Sequence, residues 1–311
     1  MDLIFPKVSV IITSYNNANY LSEAIQSVLE QTVRPYEIIV LDDNSSDDSF
    51  GIVQKFQKSN PEIVLGIQNS SNLGVSANRN KALGLSKGDW ISFLDGDDYW
   101  EPDKLRNELD VLQNKPQVNC VFSNFSFVDQ NGKDKTLWDD QGFIDGLEGE
   151  DIFSAVVARS FPKGALYRCE LIKKSLLDQI GGFDEKLSLY EDFDLKIRAQ
   201  RSAITSICPL PGVVYRRHSE GLSSVLARKH INALEYVYKK NFSLIRELPL
   251  SQRRDTIGKI QNILFQRRFA EMYEYYESNR IISLITSLAI LILKYPKRFF
   301  VRVFHKTEAC S

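Results

Sequence analysis

The sequence lacks an excess of charge of either sign. Its 39 lysines and arginines nearly balance its 40 aspartates and glutamates, which gives a formal net charge of −1 at pH 7. Proteins that bind nucleic acid usually carry a strong basic excess or a basic face. We therefore expect no nucleic-acid partner, and we expect any polyanionic ligand to be bound by a local group of residues.

Cysteine is also scarce, with only Cys120, Cys169, Cys208 and Cys310 in 311 residues. No CxxC pair is present, so the spacing matches neither a zinc site nor the disulfide framework of a small secreted domain. The N-terminus, MDLIFPKVSV, lacks the consecutive charged, apolar and cleavage regions of a secretion signal. These absences indicate reduced thiols and a cytoplasmic location.

The first half of the chain contains short β-branched runs that alternate with helical patterns. Strands are predicted at 8–13, 37–43, 63–67 and 90–94, and helices at 19–32, 75–85, 102–112 and around Ile52, Val53 and Phe56. This alternation predicts an α/β fold with a mixed, mostly parallel, Rossmann-like sheet and helices on both faces. No G-x-G-x-x-G follows the first strand, which argues against a dehydrogenase.

The second half is less regular. Residues 118–129 and 164–167 are predicted as strands with a loop-rich acidic segment between them, and 187–201 as a loop that enters a helix. After about Ser224 the pattern is wholly helical. The boundary near Val225 predicts a larger domain at 1–224 and a helical C-terminal extension at 225–311.

Three polar segments follow predicted strands. In open α/β sheets, ligands bind beyond the carboxyl ends of the strands. That rule places Thr13 to Tyr15, Asp42 to Asn44 and Asp95 to Asp98 on one rim of the sheet.

The most acidic of these segments is the turn in WISFLDGDDYWEPD, with Asp95, Asp97 and Asp98. Such close carboxylates are tolerated if a divalent cation neutralises them, and Mg²⁺ and Mn²⁺ prefer oxygen ligands. These ions often complete their shell with substrate phosphates, so the turn fits a metal that carries a diphosphate. The alternative is a solvated turn that caps the next helix, with Asp103 in its first turn.

The second acidic segment is VLDDNSSDD. Its later part, Ser45 to Asp48, fits the capping region of a helix. Asp42 and Asp43 lie earlier, at the strand end, where a carboxylate can accept a hydrogen bond from a base or ribose.

Six segments together resemble the family 2 glycosyltransferases with the GT-A fold: VSVIITSYNNANYL, EIIVLDDNSSDDS, NLGVSANRNKAL, DWISFLDGDDYWEPDKL, IGGFDEKLSLYEDFDLKIR and VVYRRHSEGLSS. The resemblance is ordered and correctly spaced from about Pro6 to Ser224. It implies a nucleotide-diphosphate sugar as donor and Mn²⁺ or Mg²⁺ as cofactor. The implied roles are base contacts for Thr13, Tyr15 and Asp43, a ribose or metal-water contact for Asp95, metal ligation for Asp97 and general base for Asp192.

Such a transfer needs a stabilised leaving diphosphate and a deprotonated acceptor hydroxyl. The metal on Asp97 would neutralise the charge that develops as the anomeric bond breaks. Asp192 would act as general base opposite the leaving group, a role typically worth ~10² to 10⁴ in rate, so that attack inverts the anomeric centre. Glu191 is the competing base, and Asp194 is interpreted as structural because acids at a helix start complement the helix dipole.

Several basic residues have two interpretations. Arg79 either approaches the diphosphate from the start of a helix or is an exposed helical arginine. His218 is either a metal or phosphate contact or a loop histidine without a ligand role. Arg216 and Arg217 share that ambiguity.

The C-terminal segment Ile281 to Leu293 is nearly free of charge but shorter than the ~20 residues that cross a bilayer. The following KYPKRFFVRVFHK mixes basic and apolar residues, a composition suited to an anionic membrane surface. We expect peripheral membrane contact through 281–306, which would place the protein at the inner face of the plasma membrane. The alternative is a helix buried in a hairpin or a homodimer, with a solvated basic tail.

The expected function is inverting, metal-dependent transfer of a sugar from a UDP-sugar to a hydroxyl of a glycan or lipid-linked acceptor, in cell-surface polysaccharide or glycolipid synthesis. A non-catalytic scaffold or sensor of the same fold that binds nucleotide sugars is the alternative. An aspartyl phosphohydrolase also uses Asp-x-Asp after a strand, but Tyr99 lies where that class has Thr or Val.

Overall fold

A computed structural model describes residues 5–147, 149–218, 227–278, 280–295 and 298. Contacts along the chain divide it into two units, 1–219 and 220–311. The predicted boundary at Val225 lies outside the described residues, so the domain limits 1–224 and 225–311 stay a prediction. Cys310 and most of the predicted basic tail, from Phe299 onward, also lie outside them.

The first unit contains one sheet, in which we number nine strands from its described residues. They are β1 (Val8–Ser14), β2 (Glu37–Asp42), β3 (Val64–Gln68), β4 (Trp90–Asp95), β5 (Tyr99–Trp100), β6 (Cys120–Asp129), β7 (Thr136–Leu137), β8 (Leu171–Lys173) and β9 (Thr205–Arg217). Their order is β3-β2-β1-β4-β8-β6-β9-β5, with β7 beside β6. The long pairings are parallel, and β8 joins β4 and β6 in antiparallel fashion. The predicted mixed, mostly parallel sheet is confirmed.

Helices cover this sheet. They are α1 (Leu21–Leu29), α2 (Ser49–Ser59), α3 (Val75–Leu85), α4 (Lys104–Asn114), α5 (Gly149–Val157), α6 (Lys174–Ile180) and α7 (Glu191–Ser202). Every residue of β1 and β2 is buried, as expected for parallel strands that are covered on both faces. One core cluster joins Ile11 and Ile39 of these strands to Leu83 of α3 and Leu195 of α7.

The strand predicted at Gly164 to Tyr167 is wrong. Pro162–Gly164 forms a short 3₁₀ turn, and the strand that pairs with β4 and β6 is Leu171–Lys173 instead. Lys163 and Gly164 have φ angles of 52° and 68°. Left-handed residues beside a proline cannot continue a regular strand ladder. The acidic segment predicted as loop-rich contains α5.

The register of the parallel strands positions the site. Thr13 of β1 pairs with Asp95 of β4, and Ser14 of β1 pairs with Asp42 of β2. The carboxyl ends of these three strands therefore lie side by side, as the sequence predicts.

The second unit is helical, with α8 (Ala227–Lys240), α9 (Phe242–Arg246), α10 (Leu250–Glu277) and α11 (Ile281–Lys294). Phe265 and Phe269 of α10 pack with Leu291 and Tyr295 at the end of α11. Within the described ranges, the structure contains no helix with the length and hydropathy of a membrane span.

Candidate active site

The acidic turn follows β4 directly. Gly96 donates its N–H to the carbonyl oxygen of Thr13 at 2.9 Å, which ties the turn to the end of β1. A side chain at position 96 would bring its Cβ within 2.9 Å of Asn17 Nδ2 and 3.0 Å of the Thr13 oxygen. Glycine is therefore the residue that lets the turn lie this close to its neighbours.

Asp95, Asp97 and Asp98 form an acidic group in which one carboxylate oxygen from each residue lies within 4.8 Å of the other two. Burial raises the pKa of Asp97, and the charge of Asp95 raises it further. Burial likewise raises the pKa of Asp98 well above its usual value, with a second contribution from Asp97. These acids resist ionisation as long as no cation neutralises them.

Asp98 provides a direct test of whether this group fits a metal ion. Its Oδ1 accepts the backbone N–H of Arg216 at 2.9 Å. Its Oδ2 is buried and has no hydrogen-bond partner among the described residues. Three clustered carboxylates with one uncompensated buried oxygen suit a hard divalent cation, so the residues fit Mn²⁺ or Mg²⁺.

His218 contacts the acidic group of Asp95, Asp97 and Asp98. Its Nε2 is 2.9 Å from Asp97 Oδ2, and its ring centre is 5.3 Å from that of Tyr20. The structure thus brings together Asp97 and His218, two of the residues predicted for the metal site, which are 121 residues apart in the sequence.

Arg216 is held within the protein. Besides its N–H contact with Asp98, its Nε donates to the carbonyl oxygen of Asp97 at 3.2 Å, and its Nη2 contacts Glu23 at 2.5 Å. Arg217 instead places its guanidinium 3.8 Å from the ring centre of Phe127. Arg216, at the end of β9, therefore stabilises the acidic turn through its hydrogen bonds to Asp97 and Asp98.

Arg79 is not an exposed helical arginine, because the residue is only 8% exposed. Its Nη2 lies 2.5 Å from Asp95 Oδ1, and its Nη1 lies 2.6 Å from Glu191 Oε1. One guanidinium on α3 thus joins the acidic turn to the first turn of α7. Glu191 is buried and committed to this ion pair, which weakens it as a competing base.

Asp192 differs from its neighbour because 40% of its side chain is exposed. Burial of its surroundings raises the pKa of this carboxyl, but the charges of Lys196, Arg168, Arg79 and Arg159 outweigh that effect and lower it to about 2. Asp192 is therefore ionised and accessible. Asp194 is fully buried and pairs with Arg198 at 2.8 Å, in keeping with a structural role.

A buried ion pair lies behind Asp192. Lys196 is one turn further along α7, and its Nζ lies 3.5 Å from Asp192 Oδ2 and 3.1 Å from Glu170 Oε1. The side chains of Lys196 and Glu170 are 5% and 6% exposed. Lys196 thus contacts the carboxylate of Asp192 from the protein interior.

The residues predicted to contact the base lie at the ends of β1 and β2. Thr13 is almost buried, whereas Tyr15 is 51% exposed just beyond β1. Asp43 is buried and accepts hydrogen bonds from Asn69 Nδ2 at 2.7 Å and from the N–H groups of Leu73 and Gly74 at 2.8 and 2.9 Å. Asp43 therefore organises the loop before α3, and its predicted base contact remains a prediction.

Sequence reasoning missed Arg168. Its Nη1 lies 3.8 Å from Asp95 Oδ2, and its guanidinium carbon is 3.7 Å from the ring centre of Tyr215. It lies in the segment beside the wrongly predicted strand, where no pattern marks a site. Asp98, by contrast, belongs to the acidic turn that the sequence displays, although it was not predicted as a metal ligand.

Residues 9–176 match the family model described as Glycosyl transferase family 2. The match covers more than half of the chain, which therefore belongs to this family. The predicted family and the predicted glycosyltransferase class are confirmed.

Relatives found by sequence similarity are also described as glycosyltransferases. A glycosyltransferase of Nostoc sp., described as uncharacterized, is 37% identical over 175 residues, or 54% of this chain and 52% of the relative. An uncharacterized glycosyltransferase of Methanocaldococcus jannaschii is 30% identical over 197 residues, or 62% of this chain and 64% of the relative. The UDP-Glc:alpha-D-GlcNAc-diphosphoundecaprenol beta-1,3-glucosyltransferase WfaP of Escherichia coli is 36% identical over 118 residues, or 38% of this chain and 45% of the relative. The matches thus cover between 45% and 64% of these relatives.

Solved structures support the fold. The crystal structure of S. aureus TarS 1-349 in complex with UDP-GlcNAc has a TM-score of 0.61 and 19% sequence identity, over 91% of each chain. The crystal structure of S. aureus TarS 1-349 alone has a TM-score of 0.59, 18% identity, and coverage of 91% of this chain and 90% of TarS. The predicted GT-A fold is confirmed.

Proposed function

We propose that the protein transfers a sugar from a UDP-sugar to a hydroxyl of an acceptor, with inversion at the anomeric carbon. The observation that carries this proposal is the bridge formed by Arg79 between Asp95 and Glu191. It brings the acidic turn, suited to a metal-bound diphosphate, next to the accessible carboxylate of Asp192. A nucleotide-binding function alone would not require that carboxylate.

Asp97 and His218 would hold the metal ion, with Asp95 and Asp98 completing the acidic group. The bound Mn²⁺ or Mg²⁺ would supply Lewis-acid neutralisation of charge on the diphosphate. Tyr15 and Thr13, at the end of β1, would bind the uracil base. The structure of S. aureus TarS in complex with UDP-GlcNAc supports this class of donor.

Asp192 would act as the general base. Its carboxylate accepts the proton of the acceptor hydroxyl while that oxygen bonds to the anomeric carbon. The bond between the anomeric carbon and the diphosphate oxygen breaks, and its electron pair leaves with UDP. Because Asp192 remains ionised down to about pH 2, it needs no prior deprotonation at neutral pH.

A two-stage experiment tests this proposal. Thermal-shift measurements with Mn²⁺ and a panel of nucleotide sugars should identify a donor that raises the melting temperature, because a ligand that binds the native state stabilises it. UDP release with that donor should then require Mn²⁺ and be lost in Asp97→Ala. Full activity of Asp97→Ala, or preference for a donor without uridine, would contradict the proposed site.

The acceptor is proposed to be a glycan or a lipid-linked glycan at an anionic membrane surface. Ile282 and Leu293 of α11 are 84% and 80% exposed, while its buried face includes Ser287, 3.3 Å from Glu271. An apolar outer face is unfavourable in water unless something covers it. From Ser278 to Thr307 the sequence has six lysines and arginines and no acidic residue. Two copies facing each other would bring these charges together, so an anionic lipid surface fits better than a homodimer.

Vesicle sedimentation tests this contact. The protein should bind vesicles of phosphatidylglycerol more tightly than vesicles of phosphatidylcholine, and Ile282→Ser should weaken that binding about tenfold, as expected when one buried isoleucine is lost. Leu250→Ser is the matched control, because Leu250 is 78% exposed on a different helix, α10. Equal binding to both lipids would exclude the electrostatic contribution.

A further inference from the structure

Arg159, one of the cations near Asp192, forms no ion pair with a described carboxylate. Arg159 follows α5, and its guanidinium carbon lies 5.2 Å from the ring centre of Tyr190 and 4.9 Å from that of Phe193. These two aromatic residues directly flank Glu191 and Asp192 in the sequence. The two rings therefore hold the guanidinium beside the segment that carries the proposed base.

The backbone of Arg159 has a left-handed conformation that is held by a hydrogen bond. Arg159 has a φ of 47°, and its N–H donates to the carbonyl oxygen of Val156 at 3.0 Å. A left-handed residue other than glycine is uncommon and has to be supported by its surroundings. The side chain thus starts from a defined turn after α5 and ends beside two aromatic rings.

Four cations lie near Asp192, and they differ in whether they also form an ion pair with another acid. The other three cations that act on this carboxylate each contact a second acid. These contacts are Lys196 Nζ to Glu170 Oε1 at 3.1 Å, Arg79 Nη2 to Asp95 Oδ1 at 2.5 Å, and Arg168 Nη1 to Asp95 Oδ2 at 3.8 Å. Across the described ranges, Arg159 is the one of the four whose guanidinium forms neither an ion pair nor a hydrogen bond. Its N–H donors are available to a ligand.

We propose that Arg159 binds an anionic group of the acceptor, a carboxylate or a phosphate, beside the hydroxyl that Asp192 deprotonates. This inference rests on the proposed function and names the chemical class of the acceptor. A guanidinium is planar and presents paired N–H donors that match both anions, and stacking on aromatic rings restricts its orientation. A neutral acceptor would leave these N–H donors without an anionic partner, whereas an acidic one would be bound and oriented by them.

Binding measurements with matched ligands test the proposal on the full chain loaded with UDP and Mn²⁺. Calorimetry compares methyl glucuronide with methyl glucoside, and N-acetylglucosamine 1-phosphate with N-acetylglucosamine. At least one acidic ligand should bind about tenfold more tightly than its neutral match. A preference within the first pair indicates an acidic sugar, and a preference within the second indicates a sugar phosphate.

Substitutions assign that preference to Arg159. Arg159→Met keeps the apolar stem and should abolish the preference for the acidic ligand, while Arg159→Lys should retain part of it. Arg106→Met is the matched control, because Arg106 also lies over one aromatic ring, Phe5, at 4.8 Å. It should leave the preference unchanged.

The outcomes separate this inference from the proposed function. UDP affinity and melting temperature, measured on every variant, show whether the fold and the donor site are intact. The inference is overturned if acidic ligands bind no more tightly than neutral ones, if neither binds, or if Arg159→Met weakens both equally. The proposed function fails instead if UDP and nucleotide sugars do not bind the unsubstituted protein.

Discussion

The acidic turn and the start of α7 both bring carboxylates to the site, but Asp97 and Asp98 of the turn differ from Asp192 of α7 in the direction of their pKa shifts. At the turn, burial and mutual repulsion raise the pKa of Asp97 and Asp98. At α7, surrounding cations lower the pKa of Asp192 to about 2. Acids that resist ionisation favour a bound cation, whereas an acid among cations stays ionised at neutral pH. We therefore propose that the same type of side chain has two different roles here, set by its environment.

The largest effect should come from removing the ionised acid. Asp192→Asn keeps the size of the side chain but removes its ability to accept a proton, so UDP release with an acceptor should fall ~10² to 10⁴ fold. Affinity for UDP and Mn²⁺ should stay within about twofold, because Asp192 is assigned no donor contact. Isothermal calorimetry and steady-state kinetics provide the two measurements. If Asp192→Asn retains activity and Glu191→Gln loses it, the base is Glu191.

A smaller loss should follow when the support behind the base is removed. The double variant Lys196→Met, Glu170→Gln removes both charges of the buried pair together, so that neither Lys196 nor Glu170 is left as an unpaired buried charge. Because Asp192 then loses the contact with Lys196 at 3.5 Å, kcat should fall about tenfold through misplacement of the base. The KM for the donor should not change.

The matched control for that variant is Arg268→Met, Glu235→Gln, which removes a pair at 2.7 Å in the helical unit. It should leave kcat unchanged. A kcat equal to that of the unsubstituted protein in the Lys196 and Glu170 variant would show that this pair serves only the fold.

The acidic turn should respond in the opposite direction when a charge is removed. Asp98→Asn replaces a buried acid that has an unpartnered oxygen, so in EDTA the variant should melt at a higher temperature than the unsubstituted protein. With Mn²⁺ the order should reverse, because the variant has lost one of the three carboxylates. Differential scanning calorimetry with and without the metal measures both. An unchanged response to Mn²⁺ would place the ion elsewhere.

The smallest expected effect is a pH-dependent change in the melting temperature of Asp192→Asn. The pKa of Asp192 is lower in the folded protein than its ordinary value of ~3.9, so its ionised form stabilises the fold above about pH 4, and this contribution is lost as pH falls toward 2. The melting temperature of Asp192→Asn should therefore lie below that of the unsubstituted protein at pH 7, with a smaller difference at pH 3. Both are measured in EDTA, and a difference that grows on acidification would contradict the assigned direction.

Much of the first unit could be predicted from the sequence, because its strands are continuous apolar runs that end in polar residues. The strand ends at Thr13, Asp42 and Asp95 follow from this pattern, and α3 was predicted with its observed limits, Val75–Leu85. The region 130–170 could not be predicted in the same way. Its conformation depends on Pro162 and on left-handed residues, whose effects are set by tertiary contacts and not by periodicity.

The candidate site also contains some residues that the sequence could predict and others that it could not. Asp97 and Asp192 belong to motifs that the sequence displays, whereas Arg159 and Arg168 lie in irregular segments and gain their importance from what they contact. The burial of Arg79 was also beyond pattern reading, because its partners Asp95 and Glu191 are 16 and 112 residues away in the sequence. Charge pairing over such separations is visible only in the folded chain.

The three hydrogen bonds accepted by Asp43 affect how variants at that position should be interpreted. A single carboxylate fixes the end of β2 and the approach to α3, the helix that carries Arg79. Loss of activity in Asp43→Ala would therefore not demonstrate a contact with uracil. Displacement of α3 would also inactivate the protein. Only a variant that keeps these acceptors while changing affinity for the nucleobase would distinguish recognition from scaffolding.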